Sequence, residues 1–162
     1  MAEVLISKEE ALKTLLPQVQ TIEKKSIILS DEQKKKIEQQ ANISFKNGYG
    51  DEFLFFIGKA NGEVVGYVAE DTVHGKWGPI HYLLGIDPSG KVRDVVVLEY
   101  KEKRGKPVAK NNFLRQYIGK TIHDSVRLHK DINGITGATI SSRGMTDGIR
   151  KLLYVFEEFR RM

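Results

Sequence analysis

From Asp131 to Arg143 the chain reads Asp-Ile-Asn-Gly-Ile-Thr-Gly-Ala-Thr-Ile-Ser-Ser-Arg, a run rich in small and hydroxyl-bearing residues. It leads straight into Met145, Ile149, Leu152, Leu153 and Phe156, whose spacing predicts one apolar face of a C-terminal helix. A helix start offers amides without intrahelical partners and the positive end of the macrodipole, a setting that favours phosphate. Gly137 and Ala138 have little side chain, so another molecule can approach the backbone closely there. Thr139, Ser141, Ser142 and Arg143 add hydroxyl and guanidinium donors. The same residues also suit an ordinary loop with Ser/Thr caps, so phosphate binding and plain capping both stay open at this level.

Other chemistries find less material. No pair among His74, His81, His123 and His129 has the i, i+4 spacing of an HExxH zinc site, and scattered surface histidines are the simpler reading. Neither a G-x-S-x-G elbow nor a Walker A loop occurs. Without cysteine there is no disulfide, thiolate metal site, cysteine nucleophile or Cys-ligated iron–sulfur cluster. Any redox chemistry must then come from a bound cofactor.

These residues need a scaffold, and the pattern suggests one of the α+β class: an antiparallel sheet built from hairpins with helices packed on it. Ser7-Lys8-Glu9-Glu10 and Ser30-Asp31-Glu32-Gln33 are capping-box signals for two early helices, the second ending near Asn42. Thr21 to Leu29 is expected as a short strand between them. Residues 1–50 read as an N-terminal accessory segment, and residues 51–162 as the compact domain. In the latter, Phe53-Leu54-Phe55-Phe56-Ile57 is a buried strand, and Asn61-Gly62 turns it into a strand over Glu63 to Glu70. A second hairpin runs from Ile80 to Ile86, through Asp87-Pro88-Ser89-Gly90, to Lys91 to Tyr100. Asn112 to Ile118 reads as a short helix.

Composition supports a single domain with a real core: 162 residues, 40% hydrophobic and 29% charged. No apolar run approaches the roughly 18 residues of a membrane-spanning helix. The net charge of +5 suits an anionic partner or ligand, but the basic residues are dispersed. Lys34-Lys35-Lys36 lies between Glu32 and Glu38 and reads as a solvated helix face. Met1-Ala2-Glu3 lacks the features of a signal peptide, which fits either a cytoplasmic protein or a processed exported one.

Asp131 followed by Thr136-Gly137-Ala138-Thr139 resembles the flavinylation motif of the FMN-binding domain family. That family includes the C subunit of Na⁺-translocating NADH:quinone reductase and the G subunit of the Rnf complex. His74-Gly75-Lys76-Trp77-Gly78-Pro79-Ile80 is similar to the family's glycine-rich segment. Gly85-Ile86-Asp87, Gly90-Lys91-Val92, Glu102, Phe113-Leu114-Arg115-Gln116 and Gly119-Lys120 follow in the family's order, so the likeness spans about Gly66 to Phe159. One departure is Lys103-Arg104-Gly105-Lys106-Pro107, where the respiratory proteins of the family tend to have a Thr-Pro-Gly-Leu-Gly type loop.

The resemblance implies that FMN is the cofactor and that a flavin transferase moves it from FAD onto the Thr139 hydroxyl as a phosphoester. Asp131 would then belong to the transferase's recognition element. Trp77, beside Gly78, is expected to cover the flavin ring or else to sit in the core. Glu102 is expected to hydrogen-bond ring or ribityl groups or else to form surface ion pairs, and Tyr100 and Ile140 to line the pocket. The implied protein is a stand-alone electron carrier between redox proteins rather than a substrate-transforming enzyme, with no nucleic-acid partner, located outside the cytoplasm. The rival expectations are FMN held without a covalent bond, and a non-redox module for a phosphorylated ligand or nucleic acid.

Overall fold

In the computed structural model, which describes residues 3–46, 50–100 and 107–162, strand alternation sends apolar side chains to both sides of one sheet. Phe55, Ala69, Leu84 and Val97 join the larger core, while their neighbours Phe56, Val68, Leu83 and Leu98 join a second, smaller one. A sheet that is apolar on both faces must be covered on both. The strands are β1 (Glu3–Val4), β2 (Thr21–Ile28), β3 (Glu52–Ala60), β4 (Glu63–Gly75), β5 (Gly78–Ile86) and β6 (Val92–Tyr100). They lie in the order β1-β6-β5-β4-β3-β2, every neighbouring pair antiparallel. The α+β architecture expected from the sequence is therefore the one present.

Helices complete the layers. Helix α1 (Lys8–Leu15) buries Ala11 and Leu15, with Leu16, in the smaller core. Helix α2 (Asp31–Ala41) and the C-terminal α4 (Thr139–Arg160) cover the opposite face, where Met145, Ile149, Leu152, Leu153 and Phe156 are all buried. The short α3 (Asn111–Leu114) continues as a 3-10 turn over Arg115–Tyr117. Residues 1–50, expected as an accessory layer, supply edge strand β2 and the cover α1 to the same sheet.

The turn chemistry behaves as read. Asn61 and Gly62 both have positive φ (54° and 78°), the requirement of a type I′ turn between β3 and β4. Ser30 and Gln33 exchange both bonds of a capping box at the start of α2. Lys34 and Lys36 form ion pairs on the surface, with Asp31 and Asp51 and with Glu158.

One segment differs from the sequence reading. The glycine-rich stretch around His74 to Ile80 is the tip of a third hairpin, because β4 continues to Gly75 and pairs with Gly78 across Lys76-Trp77. Val73 keeps the apolar alternation going into the core, and Gly78 (φ 138°) supplies the backbone freedom for the two-residue turn. Helix α4 runs close along this extension. A Cβ at Gly148 would collide with Val73, and one at Gly144 with the His74 carbonyl oxygen, so these two glycines, one helical turn apart, set the approach.

Buried polar contacts around Asp71 and Arg150 fix α4 further. Lys151 pairs with Asp71 at 3.0 Å, and the Tyr82 hydroxyl donates to the same carboxylate at 2.9 Å. Burial, then the Asp71 charge, pushes the Tyr82 hydroxyl far up and keeps it a donor. The buried Arg150 donates to the carbonyls of Ala41 (2.6 Å) and Val126 (2.8 Å) and pairs with Asp147, tying α4 to the end of α2 and to the loop before the helix.

Candidate functional site

The site forms where α4 begins. Helices α1 and α2 start with a serine whose side chain accepts from a first-turn amide, Ser7 from Glu10 and Ser30 from Gln33. Helix α4 is the longest at 22 residues, yet its cap is Ala138, which makes no side-chain cap bond. Its first-turn amides therefore keep their capacity for an external anion. Thr139 is the first helical residue and is exposed, as are Thr136, Gly137 and Ile140. Gly137 has φ 83°, a left-handed turn that swings the chain into the helix. Thr139, Gly137, Ala138, Ile140 and Lys76 line a cavity of about 240 Å³.

Lys76 comes from the β4–β5 hairpin tip. Its amide donates to Ser141 Oγ at 3.3 Å, and a Cβ on Gly75 would sit 3.0 Å from that same oxygen. The hairpin tip is thereby bound to the first turn of α4. Trp77, half-buried in the tip, has the Lys76 ammonium 5.2 Å from its ring centroid. The structure thus brings Lys76, from the hairpin that also carries Trp77 and Gly78, to the start of α4 from more than 60 residues away in sequence.

The loop that leads to Thr139 is anchored at both ends. Asp131 accepts from the amides of Val126 (2.9 Å) and Arg127 (2.8 Å), and Lys120 pairs with it at 3.2 Å. Partial burial raises the Asp131 carboxyl, but the Arg127 and Val126 amides and the Lys120 ammonium outweigh it and the net pKa is lowered. Gln116 and the main chain of Asn133 exchange two hydrogen bonds. At the far end Ser142 Oγ accepts from the Ile135 amide at 3.2 Å and donates to the Ala138 carbonyl at 2.7 Å.

The expected site residues divide accordingly. Gly137, Ala138, Thr139 and Ile140 cluster at one cavity mouth, with Thr136 exposed in the loop before them and Trp77 and Gly78 in the adjoining hairpin. Arg143 lies exposed one helical turn beyond Thr139. Ser141 and Ser142 are buried, their hydroxyls engaged with Lys76 and with the loop. Tyr100 is fully buried in the larger core, opposite Ile80, and is not among the cavity residues. Glu102 and the Lys103-Arg104-Gly105-Lys106 segment lie outside the described residues. His81 is no isolated surface histidine: its ring nitrogen is 2.6 Å from Glu70. Among the described residues no group of His, Asp and Glu is arranged to hold a metal, and no helix is long and apolar enough to cross a membrane.

Lys76 and Gln116 carry roles the sequence did not single out. The charge of Lys76 was hidden in a glycine-rich segment, and Gln116 stood only as part of a family pattern. The spacing of Gly144 and Gly148 on one helix face was the one readable sign that α4 needs a close neighbour.

Residues 75–154 match the FMN-binding domain model. The G subunit of the Na(+)-translocating ferredoxin:NAD(+) oxidoreductase complex of Acetobacterium woodii is 30% identical over 112 residues, which cover 63% of this chain and 54% of that protein. The G subunit of the proton-translocating ferredoxin:NAD(+) oxidoreductase complex of Clostridium ljungdahlii is 27% identical over 104 residues, 60% of this chain and 56% of that protein. The chain spans about half the length of these curated relatives. The crystal structure of the C subunit of Na(+)-translocating NADH-quinone reductase from Parabacteroides distasonis shares the fold, with a TM-score of 0.60 at 15% identity over 95% of this chain and 84% of that one. An exposed hydroxyl at an uncapped helix start, beside a cation and a cavity, suits the phosphate end of such a cofactor. Over residues 75–154 this chain therefore matches the FMN-binding domain family, and that match supports FMN as its cofactor.

Proposed function

We propose that this protein is an electron carrier whose FMN is joined through its phosphate to the Thr139 hydroxyl. The observation that carries this is the placement of Thr139: exposed, first in α4, at the end of Thr136-Gly137-Ala138-Thr139, and sharing a cavity with Lys76. Exposure matters because a separate transferase must reach the hydroxyl. In the transfer, the Thr139 oxygen bonds to the FMN-side phosphorus of FAD, the pyrophosphate P–O bond breaks, AMP leaves, and the hydroxyl proton passes to solvent. The absence of bulk at Gly137 and Ala138 leaves room for that approach.

Bound FMN supplies one- and two-electron chemistry, and the protein's residues position and tune it. The first-turn amides of α4, Lys76 and Arg143 would hold the phosphate charge. Trp77 would lie against the ring, with its half-buried position in the hairpin limiting its rotation. The cavity, at about 240 Å³, is smaller than the roughly 300–1,000 Å³ of an enclosing small-molecule pocket, so it suits the phosphate and ribityl end and leaves the ring edge open to a partner.

The relatives named above belong to redox complexes, which supports redox proteins as electron donor and acceptor. A covalent tether suits a location outside the cytoplasm, where lost FMN is not replaced. Intact mass and visible absorbance, measured on protein made with and without a flavin transferase, test the proposal. Flavin absorbance that stays with the chain after denaturation, only when the transferase is present, is the expected result. Flavin released on denaturation would replace the covalent bond with simple binding.

A further inference from the structure

Gln116 sits in the 3-10 turn after α3, and its carboxamide is aligned with the main chain of Asn133. The Asn133 amide donates to Gln116 Oε1 at 2.7 Å, and Gln116 Nε2 donates back to the Asn133 carbonyl at 3.0 Å. The pair copies one rung of an antiparallel ladder with a side chain in place of the second strand. Nε2 also reaches the Phe113 carbonyl at 3.2 Å, which fixes the carboxamide's orientation. Asn133 itself is exposed, so without Gln116 its main chain would turn to solvent. Beyond it, Thr136 and Gly137 are exposed up to the helix start, and Ser142 holds the loop only from Ile135 onward. Gln116 is thus the inner anchor of the acceptor loop, working beside the Asp131 turn but from a separate element.

We propose, on the assignment of Thr139 as acceptor, that Gln116 is a positioning residue for flavin loading. It keeps residues 133–138 in the one conformation that the transferase meets. A segment that visits its competent conformation for only part of the time binds with an apparent constant weakened by that fraction. The bond-making step at a bound acceptor is unchanged. The signature is a raised KM for the acceptor protein with kcat preserved.

The test uses the full-length apoprotein, a purified flavin transferase and FAD, with initial rates read by intact mass. Gln116→Met keeps the length and apolar stem but removes both bonds. Gln116→Glu keeps an acceptor for the Asn133 amide and loses the donor. The expected result is a KM for the acceptor protein raised about tenfold in the Met variant and less in the Glu variant, with kcat within about twofold of wild type. A role in global stability alone would lower the melting temperature while the chain stays folded at the assay temperature, and so would leave KM in place. Unchanged KM in both variants, or a fall in kcat at unchanged KM, would overturn the proposal. Should Gln116→Met fail to fold, Gln116→Glu decides the matter on the same readout. Wild-type protein that is never modified would instead overturn the Thr139 assignment, and this role of Gln116 with it.

Discussion

The Lys76 amide donates to Ser141 Oγ at 3.3 Å, and this bond links the hairpin that carries Trp77 to the helix that begins at Thr139. Two segments that sequence separates by 65 positions thus form the two sides of one site. A change on either side should be felt on the other.

Thr139→Ala should remove the covalent flavin and little else. The side chain is exposed, so stability should change by no more than about 0.5 kcal/mol. Intact mass should show no FMN increment, and the melting temperature should match the unmodified wild type. Thr139→Ser keeps a hydroxyl and should retain part of the modification. Flavin that remains attached in the alanine variant would move the acceptor elsewhere.

Trp77 is the only tryptophan, so its emission reports the hairpin tip alone. Loading with flavin should quench that emission through ring contact. In the loaded protein, Trp77→Ala should raise flavin fluorescence and shift the absorbance spectrum. Unaltered spectra in this variant would separate Trp77 from the flavin ring.

Gly144→Ala tests the close approach of α4 to β4. The new Cβ would run into the His74 carbonyl oxygen, which is backbone and cannot swing aside. Overpacking of this kind costs about 1–3 kcal/mol. Denaturant unfolding should show that loss, and Trp77 emission should change because the hairpin tip is pushed from the helix. A gain of stability from improved helix propensity, without a spectral change, would show that the sheet yields at no cost.

Asp131→Asn should reveal a pH-dependent contribution. Burial raises this carboxyl, yet the Arg127 and Val126 amides and Lys120 leave its folded pKa below the ordinary value. A lowered folded pKa means that the carboxylate adds stability above the unfolded value, near pH about 4, and loses it as pH falls through the folded value. The variant should therefore be less stable by about 1–2 kcal/mol at neutral pH, from weakened charge-assisted bonds. The gap to wild type should close toward acid pH. Unfolding curves across pH measure this directly, and a gap independent of pH would assign the loss to packing.

What was legible in the sequence was local. Asn61-Gly62 could form only a turn with positive φ, Ser30 and Gln33 lay at capping-box spacing, and the Met145-to-Phe156 pattern marked one buried helix face. Each depends on residues within a turn or two of one another, where backbone sterics and short hydrogen bonds decide the outcome. The Thr136-Gly137-Ala138-Thr139 motif was legible for the same reason, since its residues are contiguous. The walls of the site were decided by the tertiary structure alone. Lys76 shares a cavity with Thr139 because β4 runs on past β3 and because Gly144 and Gly148 let α4 lie along it. Gln116 reaches Asn133 because the turn after α3 packs beside the loop that precedes α4. Strand alternation turned Tyr100 into the larger core, an orientation set by its place in the sheet. Sequence spacing specifies which way a side chain points along its own element; only packing between elements specifies what it meets.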